Sequence, residues 1–444
     1  MASTSQSGPA VQRRMTEILL AAVFALAAVA TMAQPPLPQH DGARHVGAQT
    51  CGSSSCHDAP EPSAFAVVEQ NEYRIWIEHD RHARAFESLT SERAVRIAGN
   101  LDIGEPTEAA MCLSCHSNYV PADRRGRNFR LSDGVSCEAC HGGGEPWLGA
   151  HSAGVNTHQD NLHAGMYPTS DPDARARLCL SCHQGTPDKP MTHRLYSAGH
   201  PRLALELDTF SMARPAHHVE DADYRQRKPD LGPMRVWALG QVRAAHEWRA
   251  LHADPEANPA GDWPEWSFYS CYGCHRSVDA ATGGQYQNPR FDVSRLQMLE
   301  ILMSTVDSTL ANDINRALAD AGNIRSRSEG EALLSGLDAV LEQAVAVTHN
   351  HQFNLADARR VVSRLVEAAE RGVLDSYGAA EQATYAIGVL VDQAGQENAA
   401  YHSPPVEAAV DALYAAARQG ATFDRSEWAA AMAELGTAFA AVEP

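Results

Sequence analysis

The chain has 444 residues, 44% of them hydrophobic and 20% charged, with 36 basic residues against 55 acidic ones and a formal net charge of −19. That length predicts two or three domains at roughly 150 residues each, and the composition is that of a folded globular protein rather than a disordered one. The charge excludes a nucleic-acid binder that works through bulk positive potential. The informative counts are 10 cysteines and 21 histidines.

In chain order, Arg13 and Arg14 precede an apolar run from Ile18 to Val29, and small residues follow at Ala28, Ala30 and Ala33. This is the layout of a secretory signal over residues 1–33, cut near Ala30 or Ala33. The run is short for a membrane span, so an uncleaved anchor is the less favoured reading. The expected mature protein is exported to the periplasm.

Cysteines in an oxidising compartment usually read as disulfides, but the local pattern points elsewhere. Cys112–His116, Cys137–His141, Cys179–His183 and Cys271–His275 are each C-x-x-C-H, with second cysteines Cys115, Cys140, Cys182 and Cys274. This is the attachment motif of c-type haem. Two thiols add across the vinyl groups, and the following imidazole (His116, His141, His183 or His275) reaches the iron from one face. A fifth, looser pair is Cys51-x4-Cys56-His57, where two extra small residues can bulge while the ligands keep their places; a local disulfide is its alternative. Zinc needs two cysteine pairs per tetrahedral ion, and five pairs leave one over. The expectation is five covalent haems c and no zinc.

The motifs span residues 51–275, about 45 residues per haem. A segment of that size cannot enclose a cofactor in its own core. The haems must share one core in near contact, and cofactors in near contact form a path for electrons.

Function then turns on the distal ligands. An iron with two histidines is coordinatively full and suits electron transfer, whereas an iron with one can bind a small molecule. Ile75, His79, His82, Phe86 and Leu89 recur at helical spacing, and His82 is the favoured ligand on that face. His151 follows Gly142, Gly143 and Gly144, whose backbone can lie against a porphyrin. His193 and His200 flank Tyr196, and His217 precedes His218. His158 is held in reserve. His246 and His252 fall on an expected helix without haem context.

These features resemble the cytochrome c-554 family of multihaem cytochromes: the loose motif Cys51–His57 after His45-Val-Gly-Ala, Trp76 with His82-Ala-Arg-Ala, and Ser136-Cys-Glu-Ala-Cys-His141-Gly. Gly199-His-Pro-Arg-Leu203 looks like a related multihaem group. The resemblance covers about residues 44–290 and implies periplasmic electron relay. It also implies crossed ligation, with His82 on the third haem and His151 on the first, and a second haem, on His116, without a protein distal ligand. The name-giving member has four haems, so five motifs depart from it.

From about Asp292 there is no cysteine, and the chain reads as four to six helices of a bundle. Leu296, Leu299, Leu302, Val306, Leu310 and Ile314 keep helical spacing. Ser328–Glu331 and Asp424–Glu427 read as capping boxes, and Asn354 as a cap. Residues 292–444 carry 22 acidic and 10 basic residues.

The expected architecture is mainly α: signal 1–33, a pentahaem core over 34–291 with little β, and an acidic bundle over 292–444. The expected function is electron transfer between redox proteins, or with a quinol-linked membrane complex. The alternatives are an oxidoreductase acting on a small nitrogen or sulfur species at one open haem, and an extracellular conduit.

Overall fold

Short helices dominate the part of the chain that carries the motifs. The computed structural model describes residues 34–62, 68–153, 157–219, 222–228, 231–253, 265–271, 291–324, 326–418 and 423–443. The expected signal 1–33 and the motif residues Cys274 and His275 lie outside these. Among the described residues no strand forms; His45 with Arg125, Thr186 with Lys189 and Tyr269 with Phe291 make isolated bridges. The fold is mainly α, as expected.

Helix punctuation follows local chemistry. Ser91 caps Glu92–Leu101 by accepting from the Ala94 N–H, and Asp102 ends it in the left-handed conformation. Asp171 caps Pro172–His183, whose first residue is a proline in the position where its missing N–H costs nothing. The helix face running from Ile75 to Leu89 is not continuous. Glu72–His79 stops at Asp80, whose backbone is extended (φ −83°, ψ 127°) and whose carboxylate accepts from the His82 N–H to start a 3-10 turn over Arg81–Arg84. A side chain able to cap has overridden the apolar period.

The motif-bearing half has little apolar core of its own. One small cluster joins Ala48, Trp76 and Ala83, with Tyr73 and Cys137 against it. Another joins Ala176, Leu180, Leu205, Leu207, Val236 and Ala244. The large core begins only at Met234 and draws on the helices Pro233–Ala253, Ser294–Val306, Ser308–Ala321, Arg327–Asn350, Leu355–Glu370, Tyr377–Glu397, Pro404–Ala417 and Arg425–Ala440. Seven of these follow Asp292, rather than four to six. Part of the excess comes from Asp307, which accepts from the Thr309 and Leu310 N–H groups and so splits the stripe from Leu296 to Ile314 into two helices. Caps at Asn354 and Asp424 sit where the sequence puts them. The capping box expected at Ser328 with Glu331 is formed two residues earlier, by Ser326 with Glu329.

Pro233–Ala253 is apolar on two sides. Met234, Trp237, Val242 and Trp248 face the bundle, while Val236 and Ala244 face the helices around Cys179. A Cβ on Gly240 would lie 2.7 Å from the Leu207 Cβ, so glycine permits this close approach. The bundle core thus starts upstream of residue 292.

Candidate haem-binding sites

Three described motifs close a helix. Ala110–His116, Cys137–His141 and Pro172–His183 each end on the motif histidine. Residues i, i+3 and i+4 share one helix face, so both thiols and the imidazole point to the same side. The looser first motif reaches the same end differently. Ala48–Cys51 stops at Cys51, the next residues turn outward, and the His57 N–H returns to the Cys51 carbonyl at 3.1 Å.

Each of these four motif histidines faces a second imidazole. Ring centres are 6.1 Å apart for His57 and His151, 6.4 Å for His116 and His200, 6.3 Å for His141 and His217, and 6.2 Å for His183 and His82. These gaps are too wide for hydrogen bonds. An imidazole nitrogen binds a metal at roughly 2 Å with its ring centre about 1 Å behind, so two imidazoles on opposite sides of one ion have centres about 6 Å apart. The four pairs therefore fit a six-coordinate haem iron. The planes are near parallel for His57 with His151, at 12°, and steep for the others, at 82°, 88° and 78°.

Second nitrogens are held so that the first can face inward. His57 Nδ1 meets Glu72 Oε2 at 2.8 Å, and His82 Nδ1 meets Asp80 Oδ1 at 2.9 Å. His116 Nδ1 donates to the Ala85 carbonyl at 3.1 Å, and His200 Nδ1 to the Pro201 carbonyl at 2.8 Å. Such bonds fix the tautomer that leaves Nε2 for a metal. Burial, then the neighbouring His217, holds His141 down at about 3, and burial, then Arg214, holds His217 at about 4. Both are neutral, the form that binds a metal. His217 carries one conflict: its Nδ1 lies 2.7 Å from Arg214 Nη1. A guanidinium only donates, so this contact must open when Nε2 takes iron and Nδ1 keeps the proton. Asp80 Oδ2, 3.8 Å from Arg214 Nη1, is there to receive it.

Two pairings differ from those implied by the resemblance. His82 faces His183 of the fourth motif, not His141 of the third, because the break at Asp80 redirects it. The second motif does have a distal candidate, His200, brought to His116 by the turn after His193–Ser197. His151 lies against His57, the pairing the resemblance implies, and His217 takes the place opposite His141. His193 lies beside Trp266, with ring centres 6.3 Å apart, and its N–H donates to Glu265.

The structure's free thiols stand for the thioether sulfurs of attached haem. The Cys51 thiol contacts that of Cys137, and Cys115 contacts Cys182. Cys140 lies within electrostatic reach of Cys179 and Cys182. Cys271 lines an open cavity together with His183, Tyr196 and His252. His252, passed over in the sequence, is buried between Trp248 and Phe268. Its Nδ1 donates to the Trp248 carbonyl at 2.7 Å, and its Nε2 has no hydrogen-bond partner. No sequence signal marks it, because the cavity forms only when three distant segments meet.

No curated protein and no solved structure matches the chain. A family model described as cytochrome c554 and c-prime matches residues 50–142. That segment holds the first three motifs, with Glu72, Asp80 and His82 between them. Over these residues the chain is similar to the cytochromes c554, a likeness that supports covalently held haem c and a part in electron transfer.

Proposed function

We propose that the protein is an exported, periplasmic cytochrome that holds five haems c and relays electrons between redox partners. The observation that carries this is the set of four facing imidazole pairs. An iron covered on both sides exchanges electrons without opening a site for substrate. Cys51 and Cys56 with His57 and His151 serve the first haem, and Cys112 and Cys115 with His116 and His200 the second. Cys137 and Cys140 with His141 and His217 serve the third, and Cys179 and Cys182 with His183 and His82 the fourth. The fifth haem would be held by Cys271, Cys274 and His275, with Cys271 on the cavity beside His183; His252, which lines that cavity, joins His193 as a candidate distal ligand.

Thioether sulfurs sit at the edge of the porphyrin, so sulfurs in contact mean ring edges in contact. The contacts of Cys51 with Cys137 and of Cys182 with Cys115, and the electrostatic reach of Cys140 to Cys179 and Cys182, support a wire in the order first, third, fourth, second. Cys271 and His183 share one cavity, which makes the fourth haem the branch point to the fifth. The thin apolar core of the motif-bearing half supports the same reading, since the haems would supply the missing volume. Partners are redox proteins or a quinol-linked membrane complex; among the described residues no helix is long and apolar enough to cross a membrane.

Mass spectrometry of the exported protein tests the count. Five added haems and no free thiol are expected. Four haems would overturn the pentahaem reading, and an unmodified chain with two disulfides or bound zinc would overturn the haem reading altogether.

A further inference from the structure

Glu138 lies between the two cysteines of the third motif and is 1% exposed. Its Oε1 accepts from the Val46 and Gly144 N–H groups and its Oε2 from the Gly47 N–H, each at 2.7 Å. Val46 and Gly47 lead directly into the first motif, and Gly144 follows the third. One carboxylate therefore ties together two segments more than 90 residues apart.

The glycines permit this grip. Gly47 has φ +98°, a conformation in which a side chain is strained. A Cβ on Gly144 would come within 3.1 Å of Glu138 Oε1. The three amides supply dipoles but no formal charge, so the buried group keeps its negative charge. That charge reaches the right atoms: contact with Cys137 holds the Cys51 thiol down overall and contact with Cys51 and burial push Cys137 up, while the Glu138 charge acts upward on both. Those sulfurs bind the first and third haems in the proposed function, and the inference rests on that reading.

We infer that Glu138 is a positioning residue for the first and third haems, clasping their motifs together and holding both haems at a lower reduction potential through its buried negative charge. A fixed anion beside a haem disfavours the added electron, and the low local dielectric keeps the effect from being screened. The first and third haems are thereby biased to pass electrons on toward the fourth. Backbone-capped Glu138 sets direction within a wire whose ligands are alike.

The test uses the full-length holoprotein with Glu138→Gln and Glu138→Asp, read by a potentiometric titration that resolves individual haems. Glutamine keeps the size, removes the charge and turns one acceptor oxygen into a donor; aspartate keeps the charge and both acceptors and shortens the reach. In Glu138→Gln the first and third haems are expected to stay low-spin and shift to higher potential, while the second and fourth stay in place. Glu138→Asp is expected to keep its potentials near wild type and to melt at lower temperature. If only Glu138→Asp loads haem, its potentials decide: first and third haems near their wild-type values uphold the inference, and raised values overturn it. A fully loaded Glu138→Gln protein with unshifted potentials would overturn it. Failure of both variants to load would also overturn it, leaving a purely structural residue. Absence of haem at Cys51 and Cys137 in the wild type would instead overturn the proposed function.

Discussion

His82 and His183 face each other with ring centres 6.2 Å apart and planes at 78°, although 100 residues of chain separate them. Asp80 makes this possible twice over. It stops the helix Glu72–His79, and its Oδ1 then fixes the His82 Nδ1. Replacing His82 with alanine should turn the haem on Cys179 and Cys182 high-spin and leave the haem on Cys137 and Cys140 low-spin. Ligand-resolved spectra of the ferric variant check this. A high-spin third haem would restore the crossed scheme implied by the resemblance.

His200 opposite His116 makes a second, separable expectation. The wild-type second haem should be low-spin and inert to carbon monoxide when reduced. His200→Ala should open it, giving one high-spin haem and one carbon monoxide site per chain. Carbon monoxide binding at the second haem of the wild type would show that His200 is not its ligand.

Asp173 and Arg243 join the fourth-motif helix to Pro233–Ala253 through two 2.7 Å hydrogen bonds, with Arg243 side chain only 2% exposed. Burial, the largest single effect, pushes the Asp173 carboxyl up, but His349 and Arg243 together bring it down to about 2 from the usual 3.8. A folded carboxyl held below its unfolded value contributes stability in full above that unfolded value. The contribution drains as pH falls from 3.8 toward 2. Arg243→Met leaves the Asp173 carboxylate with only His349 for a partner and should cost about 3 kcal/mol at neutral pH. Melting curves of wild type and variant should converge as pH drops from 5 toward 2; a difference independent of pH would show that the pair is not the cause.

The bundle cannot be removed cleanly at residue 291. Met234, Trp237, Val242 and Trp248 are buried against helices that begin at Ser294. A chain ending at Phe291 should expose this face and aggregate, and Trp237→Ala in the full chain should cost roughly 3–5 kcal/mol in denaturant unfolding. A soluble, haem-loaded 34–291 fragment would contradict this packing.

The grouping of thiols and imidazole in each described motif was legible in the sequence, because these residues lie within a few positions of one another along the chain. The helical class and the caps at Asn354 and Asp424 were legible for the same local reason. The distal partners were not. Their candidates His82, His151, His200 and His217 could be named from local context, but which iron each meets depends on chain crossings that no local period records. Asp80 shows how this happens: an apolar stripe from Ile75 to Leu89 reads as one helix, and a single capping carboxylate bends it. The start of the bundle core at Met234 was hidden likewise, since a helix apolar on two sides gives no sign of which half of the molecule it completes.

The ferric electron paramagnetic resonance spectrum of the exported holoprotein tests the four imidazole pairs most directly. Parallel axial imidazoles separate the iron d orbitals and give a rhombic low-spin signal, whereas perpendicular ones leave two orbitals nearly degenerate and give a strongly axial signal. With one pair at 12° and three at 78°, 82° and 88°, the first four haems should give one rhombic and three strongly axial low-spin signals. Substituting His151 should abolish the rhombic signal alone. A high-spin signal from the wild-type haem on His57, His116, His141 or His183, or four rhombic signals, would contradict the account.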